Sequence, residues 1–212
     1  MRKIKIYDLS LTISNILPAY PGDPKVVLKQ KVEFSRSGYN VKSIQMGTHS
    51  GTHVDAPLHL IDKAANIVDV PLNNFIGDAT FVEILKDYNE PINLADVEKL
   101  DIREGDIVIV RTGWEEKKYS DLYFSNFPYF HPETADYLIS KGIKSIGADI
   151  PSVDGPNESG AFHKKILGVG IGVIEALINL APIVGKRLFF CGLPLKIKDG
   201  DGSPIRAVAI DK

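Results

Sequence analysis

Short apolar runs rich in valine and isoleucine recur along the chain and predict a sheet. Glycine, proline or asparagine separates one run from the next, as is typical of strands joined by turns. The predicted strands lie at 4–8, 26–34, 41–47, 80–85, 106–112, 145–150, 187–193 and 205–210. Helical patterns are fewer and predict helices at 93–100 and 132–141, with a further helical segment within 162–180. The pattern therefore indicates a strand-rich α/β fold.

The length of 212 residues falls within the range that one mixed domain occupies, so we expect a single domain over residues 1–212. A hydrophobic share of 44% beside a charged share of 25% is typical of a chain that buries a proper core. The segment 116–130 is aromatic and polar. It predicts either a lid over a cleft or, more commonly, a surface loop.

Charge and composition exclude several classes of partner. The formal net charge is -2, and basic residues are not concentrated in any segment, so nucleic acid is not expected as a partner. The longest apolar stretch, 167–184, is interrupted by Glu175, Asn179 and Pro182, so no membrane-spanning segment is expected. The N-terminal residues lack the apolar core of a secretory signal, and we expect a cytoplasmic protein. The single cysteine, Cys191, is predicted to be a small buried hydrophobic residue.

Three of the five histidines fall within the segment HSGTHVDAPLH, beside Asp55. Imidazole nitrogens and carboxylate oxygens suit zinc, manganese or iron, and a catalytic site typically takes three protein ligands and a water. His49, His53 and Asp55 fit that count. We expect a turn that leads into an extended segment, in which His53, Asp55 and His59 point to one side. Histidines that only satisfy a Ser/Thr-rich turn, and a closed structural metal site, are the alternatives.

A second candidate pair, His163 and Glu175, flanks the glycine-punctuated segment HKKILGVGIGVIE. In one unbroken helix the two side chains would lie about 18 Å apart along the axis, so they could not share a metal. Gly168, Gly170 and Gly172 would allow the chain to reverse between them, because glycine tolerates backbone angles that other residues do not. Spacing alone leaves both arrangements open.

The segment HSGTHVDAPLH resembles the H-x-G-T-H-x-D-x-P-x-H signature of the cyclase family of metal-dependent hydrolases. Bacterial kynurenine formamidases and isatin hydrolases belong to that family. The resemblance covers essentially the whole chain, through YDLSLTIS, YPGDP, VIVRTGW, GADIPSVD and GSPIRAVAI. It implies a swivelling β/β/α fold and assembly as a homodimer or homotetramer.

Carried over residue by residue, the resemblance also implies a set of metal ligands. The first metal would be bound by His49, His53 and Asp55, and Asp55 would bridge to a second metal held by His163 and Glu175. The implied cofactor is a divalent metal, Zn²⁺ or Mn²⁺, with two ions per chain, and a single ion, as in some relatives, is the alternative.

The resemblance further implies His59 as the catalytic acid/base and Tyr20 as a substrate contact. The reaction would be hydrolysis of a non-peptide C–N bond, N-formylkynurenine to kynurenine and formate, by a metal-activated hydroxide. Kynurenine formamidases have a tryptophan where this chain has Tyr20, which weakens the case for that substrate. A cyclic amide hydrolase of the isatin type and a non-catalytic protein that binds through a tethering metal are the alternatives.

Overall fold

A nine-stranded mixed sheet forms the centre of the computed structural model, which describes residues 4–156 and 158–211. The strands within those residues are β1 (Lys5–Asp8), β2 (Val27–Val32), β3 (Val41–Gln45), β4 (His53–Asp55), β5 (Ile76–Glu83), β6 (Pro91–Ile92), β7 (Ile107–Arg111), β8 (Tyr129–Phe130), β9 (Ser145–Ala148), β10 (Gly172–Glu175), β11 (Arg187–Cys191), β12 (Gly202–Pro204) and β13 (Val208–Asp211). The helices are α1 (Phe34–Ser37), α2 (Leu94–Val97), α3 (Pro132–Ser140) and α4 (Ala161–Gly168).

The order of the large sheet is β1-β13-β11-β5-β7-β9-β10-β4-β12. Its four central strands, β5, β7, β9 and β10, run parallel, and the strands on both sides of them pair antiparallel. Strands β2 and β3 form a separate antiparallel pair, and β6 and β8 form a short parallel pair.

Both faces of the central strands are covered by apolar side chains. In β7, Val108 and Val110 pack in one hydrophobic cluster, while Ile107 and Ile109 pack in the other. Side chains alternate along a strand, so the two clusters lie on opposite faces of the sheet. Helices α3 and α4 contribute to the first cluster, which explains why the central strands read as continuous apolar runs.

The predicted strand-rich α/β fold is confirmed, and every predicted run overlaps a strand, although the run at 80–85 began four residues after the start of β5 at Ile76. The prediction at 26–34 ran too far, because its last residue begins α1. The prediction at 205–210 began too early, because β13 begins at Val208. Strand β4 lies in the segment predicted as extended, whereas the short strands β6, β8, β10 and β12 were not predicted, because two to four residues carry too little pattern.

Two of the three predicted helical segments are shorter than expected. The helix predicted at 93–100 is reduced to α2, which ends at Val97. The segment within 162–180 is helical only to Gly168, and the chain then reverses at Gly170, which has a φ of 82°. The helix at 132–141 corresponds to α3. No helix among the described residues has the length and apolarity that a bilayer crossing requires.

Cys191 is only partly buried, so its prediction as a buried hydrophobic residue is wrong. It ends β11, in which burial alternates along the strand. Leu188 and Phe190 enter the core, whereas Cys191 lies on the less covered side with Arg187. Strand periodicity therefore overrides the apolar character of the surrounding sequence.

Substitution of Gly147 in β9 tests how tightly the central strands pack. A Cβ at this position would lie 2.7 Å from Cδ1 of Ile109 and 3.1 Å from Cβ of Ile174. We predict that Gly147→Ala lowers the free energy of unfolding by about 1–3 kcal/mol in urea titrations, because overpacking forces neighbouring side chains to shift. Gly168→Ala is the matched control, since its nearest neighbour would be 3.7 Å away and its stability should stay level or rise. Equal stability of the Gly147 variant and the wild type would contradict this packing.

Candidate metal centre

The candidate ligands converge where β4 lies between β10 and β12, at one edge of the large sheet. The antiparallel register places Glu175 of β10 directly opposite His53 of β4. Directly opposed side chains share a face of the sheet, and His53 and Asp55 share that face as alternate residues of one strand. The register therefore brings both carboxylates to the same buried spot.

His163 reaches this spot because α4 ends before β10 begins. The reversal at Gly170 brings Nε2 of His163 within 3.1 Å of Oε1 of Glu175. The folded arrangement that spacing left open is the one that the structure shows, and the unbroken helix is wrong.

Asp55 lies at the centre of the cluster and uses its two oxygens in different directions. Oδ1 lies 2.8 Å from Nδ1 of His49 and 3.4 Å from Nε2 of His53. Oδ2 lies 3.2 Å from Nε2 of His163, which Glu175 also contacts. The two oxygens of Asp55 thus face two sets of donor atoms, which His53 links because its Nε2 also lies 3.3 Å from Oε2 of Glu175.

The chemistry of these donors fits divalent cations. Asp55 and Glu175 are 1% and 4% exposed, and the ion pairs that the described residues show for them involve only histidines. Two buried carboxylates without a lysine or arginine partner are costly unless cations compensate them. Imidazole and carboxylate donors suit zinc and manganese alike.

In two of the histidines, the ring nitrogen that points away from Asp55 hydrogen-bonds to an acceptor of fixed position. Nδ1 of His53 donates to the carbonyl of Gly51 at 2.8 Å. Nδ1 of His163 pairs with Asp154, which also accepts the backbone N–H groups of Phe162 and His163 at the start of α4. An acceptor at one nitrogen fixes the ring and its tautomer, and this leaves Nε2 free for a metal.

His49 is held in the same way from the C-terminal part of the chain. Its Nε2 lies 3.2 Å from Oδ2 of Asp201, while its Nδ1 faces Asp55. Gly202 in β12 makes room for the ring, because a Cβ there would lie 2.7 Å from Cε1 of His49. The sequence prediction missed Asp201, Gly202 and Asp154, because they contact the histidines only after distant segments have folded together.

His59 reaches the cluster by a turn and not along a strand, so the predicted extended segment is wrong beyond Asp55. Pro57–His59 is a single 3-10 turn that begins with a proline, and the N–H groups of Leu60 and Ile61 donate to the carbonyl of Pro57. The fixed φ of proline favours such a start. The ring centroid of His59 still lies 4.0 Å from that of His49 and 6.0 Å from that of His163.

A cavity of about 560 Å³ opens over the histidines. Its wall includes Tyr20 and Phe124, whose rings meet edge to face with centroids 5.5 Å apart. Tyr123 and Phe124 both come from the segment 116–130, and Tyr123 is buried. This segment therefore forms part of the cavity wall, beyond what an ordinary surface loop does. Tyr20, which was predicted as a substrate contact, lines the cavity.

In the metal-free protein, burial and neighbouring charges shift the pKa values of the histidines in the cluster. Burial alone would lower the pKa of His49, but the hydrogen bonds and charges of Asp55 and Asp201 outweigh it and raise the pKa to about 9. Burial also disfavours the charged form of His163, yet Asp154, Asp55 and Glu175 hold its pKa well above the usual range. Protons on these two histidines thus compensate the buried carboxylates. Burial lowers the pKa of His59, which leaves its ring neutral at pH 7.

Known proteins are similar to this chain in sequence and in fold. A family model described as putative cyclase matches residues 7–155, a range that contains the His49 to His59 segment and ends before His163. The chain is 31% identical over 204 residues to the kynurenine formamidase of Geobacillus thermodenitrificans (strain NG80-2), with 94% of each protein covered. It is also similar to a solved structure described as a potential metal-dependent hydrolase with cyclase activity, at a TM-score of 0.85, 28% identity and 99% coverage of both chains.

Isatin hydrolase A from Labrenzia aggregata shares the fold. Its TM-score is 0.88 at 23% identity, with 98% of this chain and 93% of that chain covered. These similarities extend over the full chain and are not confined to the histidine-rich segment.

The raised histidine pKa values predict how metal affinity depends on pH. A metal must displace the protons of His49 and His163, so its apparent affinity should rise about tenfold per pH unit for each proton released, up to about pH 9 for His49. Calorimetric titration of metal-free protein in buffers of different ionisation enthalpy measures this release. Metal binding without proton release between pH 6.5 and 8.5 would contradict the electrostatics described.

The stability of the metal-free protein should fall as the pH rises, whereas the metal affinity should increase. A pKa raised from 6.5 to about 9 contributes stability that is complete below pH 6.5 and is lost as the pH rises through about 9. We therefore expect the thermal midpoint of the metal-free protein to fall over this window, while the increment added by metal grows. Thermal scans with and without metal at several pH values measure both trends, and a rising midpoint of the metal-free protein would refute this sign.

Proposed function

The chain belongs to the family described as putative cyclases, and from this we propose that it is a metal-dependent hydrolase of a non-peptide C–N bond. The reaction that fits best is that of an arylformamidase, which converts N-formylkynurenine and water to kynurenine and formate. One observation carries the proposal: a cluster of divalent-metal donors centred on Asp55 opens onto a cavity with an aromatic wall, and His59 lies at that opening.

We assign two divalent cations, Zn²⁺ or Mn²⁺, to the two donor sets. His49, His53 and Oδ1 of Asp55 would hold the first, and Oδ2 of Asp55, His163 and Glu175 the second. Such a cation lowers the pKa of a water that it binds from about 15.7 to about 7 and polarises a carbonyl oxygen. The partition is supported by the different directions of the Asp55 oxygens, and His53 lies between the two sets, with Nε2 3.3 Å from Oε2 of Glu175.

The remaining residues orient the substrate and move a proton. Tyr20 and Phe124 offer aromatic faces and edges against which an aryl ring can pack. His59, neutral at pH 7, would take the proton of the added hydroxyl group after attack and deliver it to the leaving nitrogen. Because an amine anion is a poor leaving group, this second transfer is required for C–N cleavage.

The geometry opposes the non-catalytic alternative. A metal that only tethers a ligand would need no acid or base, and His59 would have no reason to face the site. Its ring instead lines the cavity beside His49. The small-molecule amide substrate is therefore the partner that we propose.

We also propose assembly as a homodimer or homotetramer. The β2–β3 pair and α1 present exposed Phe34, Val41 and Ile44. A two-stranded ribbon with exposed apolar side chains gains stability when a second copy covers it. Cytoplasmic location stays a prediction.

Substrate hydrolysis before and after metal removal tests the proposed function. We expect protein purified without chelator to hydrolyse N-formylkynurenine, to lose this activity on chelation and to regain it with Zn²⁺ or Mn²⁺. Ring opening of isatin without formamidase activity would favour the cyclic amide alternative. Bound metal with neither activity would refute the proposal.

Replacing individual histidines separates the acid/base role from the ligand role. We predict that His59→Ala keeps its metal but loses about 10²- to 10⁴-fold in kcat, because only the proton transfer is removed. His53→Ala should lose the metal itself. His131→Ala is the matched control, since His131 lies at the start of α3 and does not line the cavity. Equal metal loss in the His59 and His53 variants would remove the acid/base assignment.

A further inference from the structure

We propose that Asp201 is a positioning residue that holds His49 and His59 at the same time. This inference deepens the proposed function and rests on it, because His59 matters only if a proton is transferred. Asp201 precedes β12 and lies far from both histidines in sequence. Its backbone carbonyl accepts the N–H of Ala56, which fixes it beside the end of β4.

The carboxylate of Asp201 is oriented by its own hydrogen bond. Oδ1 accepts from the hydroxyl of Thr48 at 2.7 Å, which turns Oδ2 towards the histidines. Oδ2 lies 3.2 Å from Nε2 of His49 and 3.8 Å from Nδ1 of His59. One oxygen thus lies between two imidazole rings whose centroids are 4.0 Å apart.

For His49, this contact decides which nitrogen is available to a metal. A carboxylate at Nε2 favours a proton there, so Nδ1, which faces Asp55, is the nitrogen that would give up its proton to a metal. Asp154 does the same for His163 from the opposite ring nitrogen. A carboxylate behind a ligating histidine also raises the basicity of the ligand.

For His59, the contact decides which nitrogen exchanges protons. Asp201 is the carboxylate within 4.0 Å of a His59 nitrogen among the described residues. The separation of 3.8 Å is longer than a hydrogen bond, and a shift of less than about 1 Å would make one. A proton held at Nδ1 by this charge leaves Nε2 as the atom that serves water and the leaving nitrogen.

The side chain of Asp201 is 42% exposed, so replacing it should not unfold the protein. The variant for the test is Asp201→Asn, which keeps the size and removes the charge. The matched control is Asp199→Asn, since Asp199 is exposed on the same loop. Both proteins are titrated with Mn²⁺ and then assayed at saturating Mn²⁺.

Two readouts separate positioning from a general structural effect. Metal affinity should weaken about 10- to 100-fold in Asp201→Asn, because His49 loses its support. At saturating metal, kcat/KM for a formanilide should fall at least tenfold, whereas kcat/KM for a nitrophenyl formate should fall less than threefold. The ester has a good leaving group and does not need the proton that His59 delivers.

The double variant His59→Ala/Asp201→Asn completes the test. If Asp201 acts through His59, adding Asp201→Asn to His59→Ala should cause no further loss on the formanilide. Wild-type behaviour of Asp201→Asn in both readouts, or equal losses on both substrates that persist without His59, would overturn the inference. If the wild type hydrolyses no formamide, both the proposed function and the role of Asp201 towards His59 are refuted. The Mn²⁺ titration still decides whether Asp201 supports His49 as a metal ligand.

Discussion

The buried charge of Asp55 is the constraint on which the rest of the site depends. This carboxylate is fully enclosed by protein, and its two oxygens face two different sets of donors. A charge in that position requires cations or protonated imidazoles around it, since an unpaired buried carboxylate would be very costly. The burial of His53, His163 and Glu175 around it is a consequence of that requirement.

The fold meets this requirement with short elements from distant parts of the chain. The strands β4 and β10 hold Asp55 and Glu175 side by side, and β12 begins at Gly202, directly after Asp201. The hydrophobic clusters on both faces of the central sheet anchor β4 and β10, whereas His49 lies on the turn before β4. The aromatic segment 116–130 then supplies one wall of the cavity above the ligands. Rigid support below and an open cavity above are what a site for repeated turnover needs.

The sequence predicted the parts of this arrangement that are encoded locally. Valine and isoleucine runs indicated the strands, and the close spacing of His49, His53 and Asp55 indicated the metal chemistry. The pairing of His163 with Glu175 depended on where α4 ends, which glycine content alone does not decide. The turn at Pro57–His59 was missed because a proline fits both an extended segment and the start of a turn. Asp154 and Asp201 carry no local signal at all, because each becomes an imidazole partner only through tertiary packing.

The most direct test of the central role of Asp55 is the metal content of Asp55→Asn, measured by elemental analysis beside the wild type. Circular dichroism of the two proteins verifies that the variant is folded. We expect about two equivalents of metal per wild-type chain and loss of both in the variant, because one carboxylate serves both donor sets. A folded variant that keeps its full metal content would contradict the account.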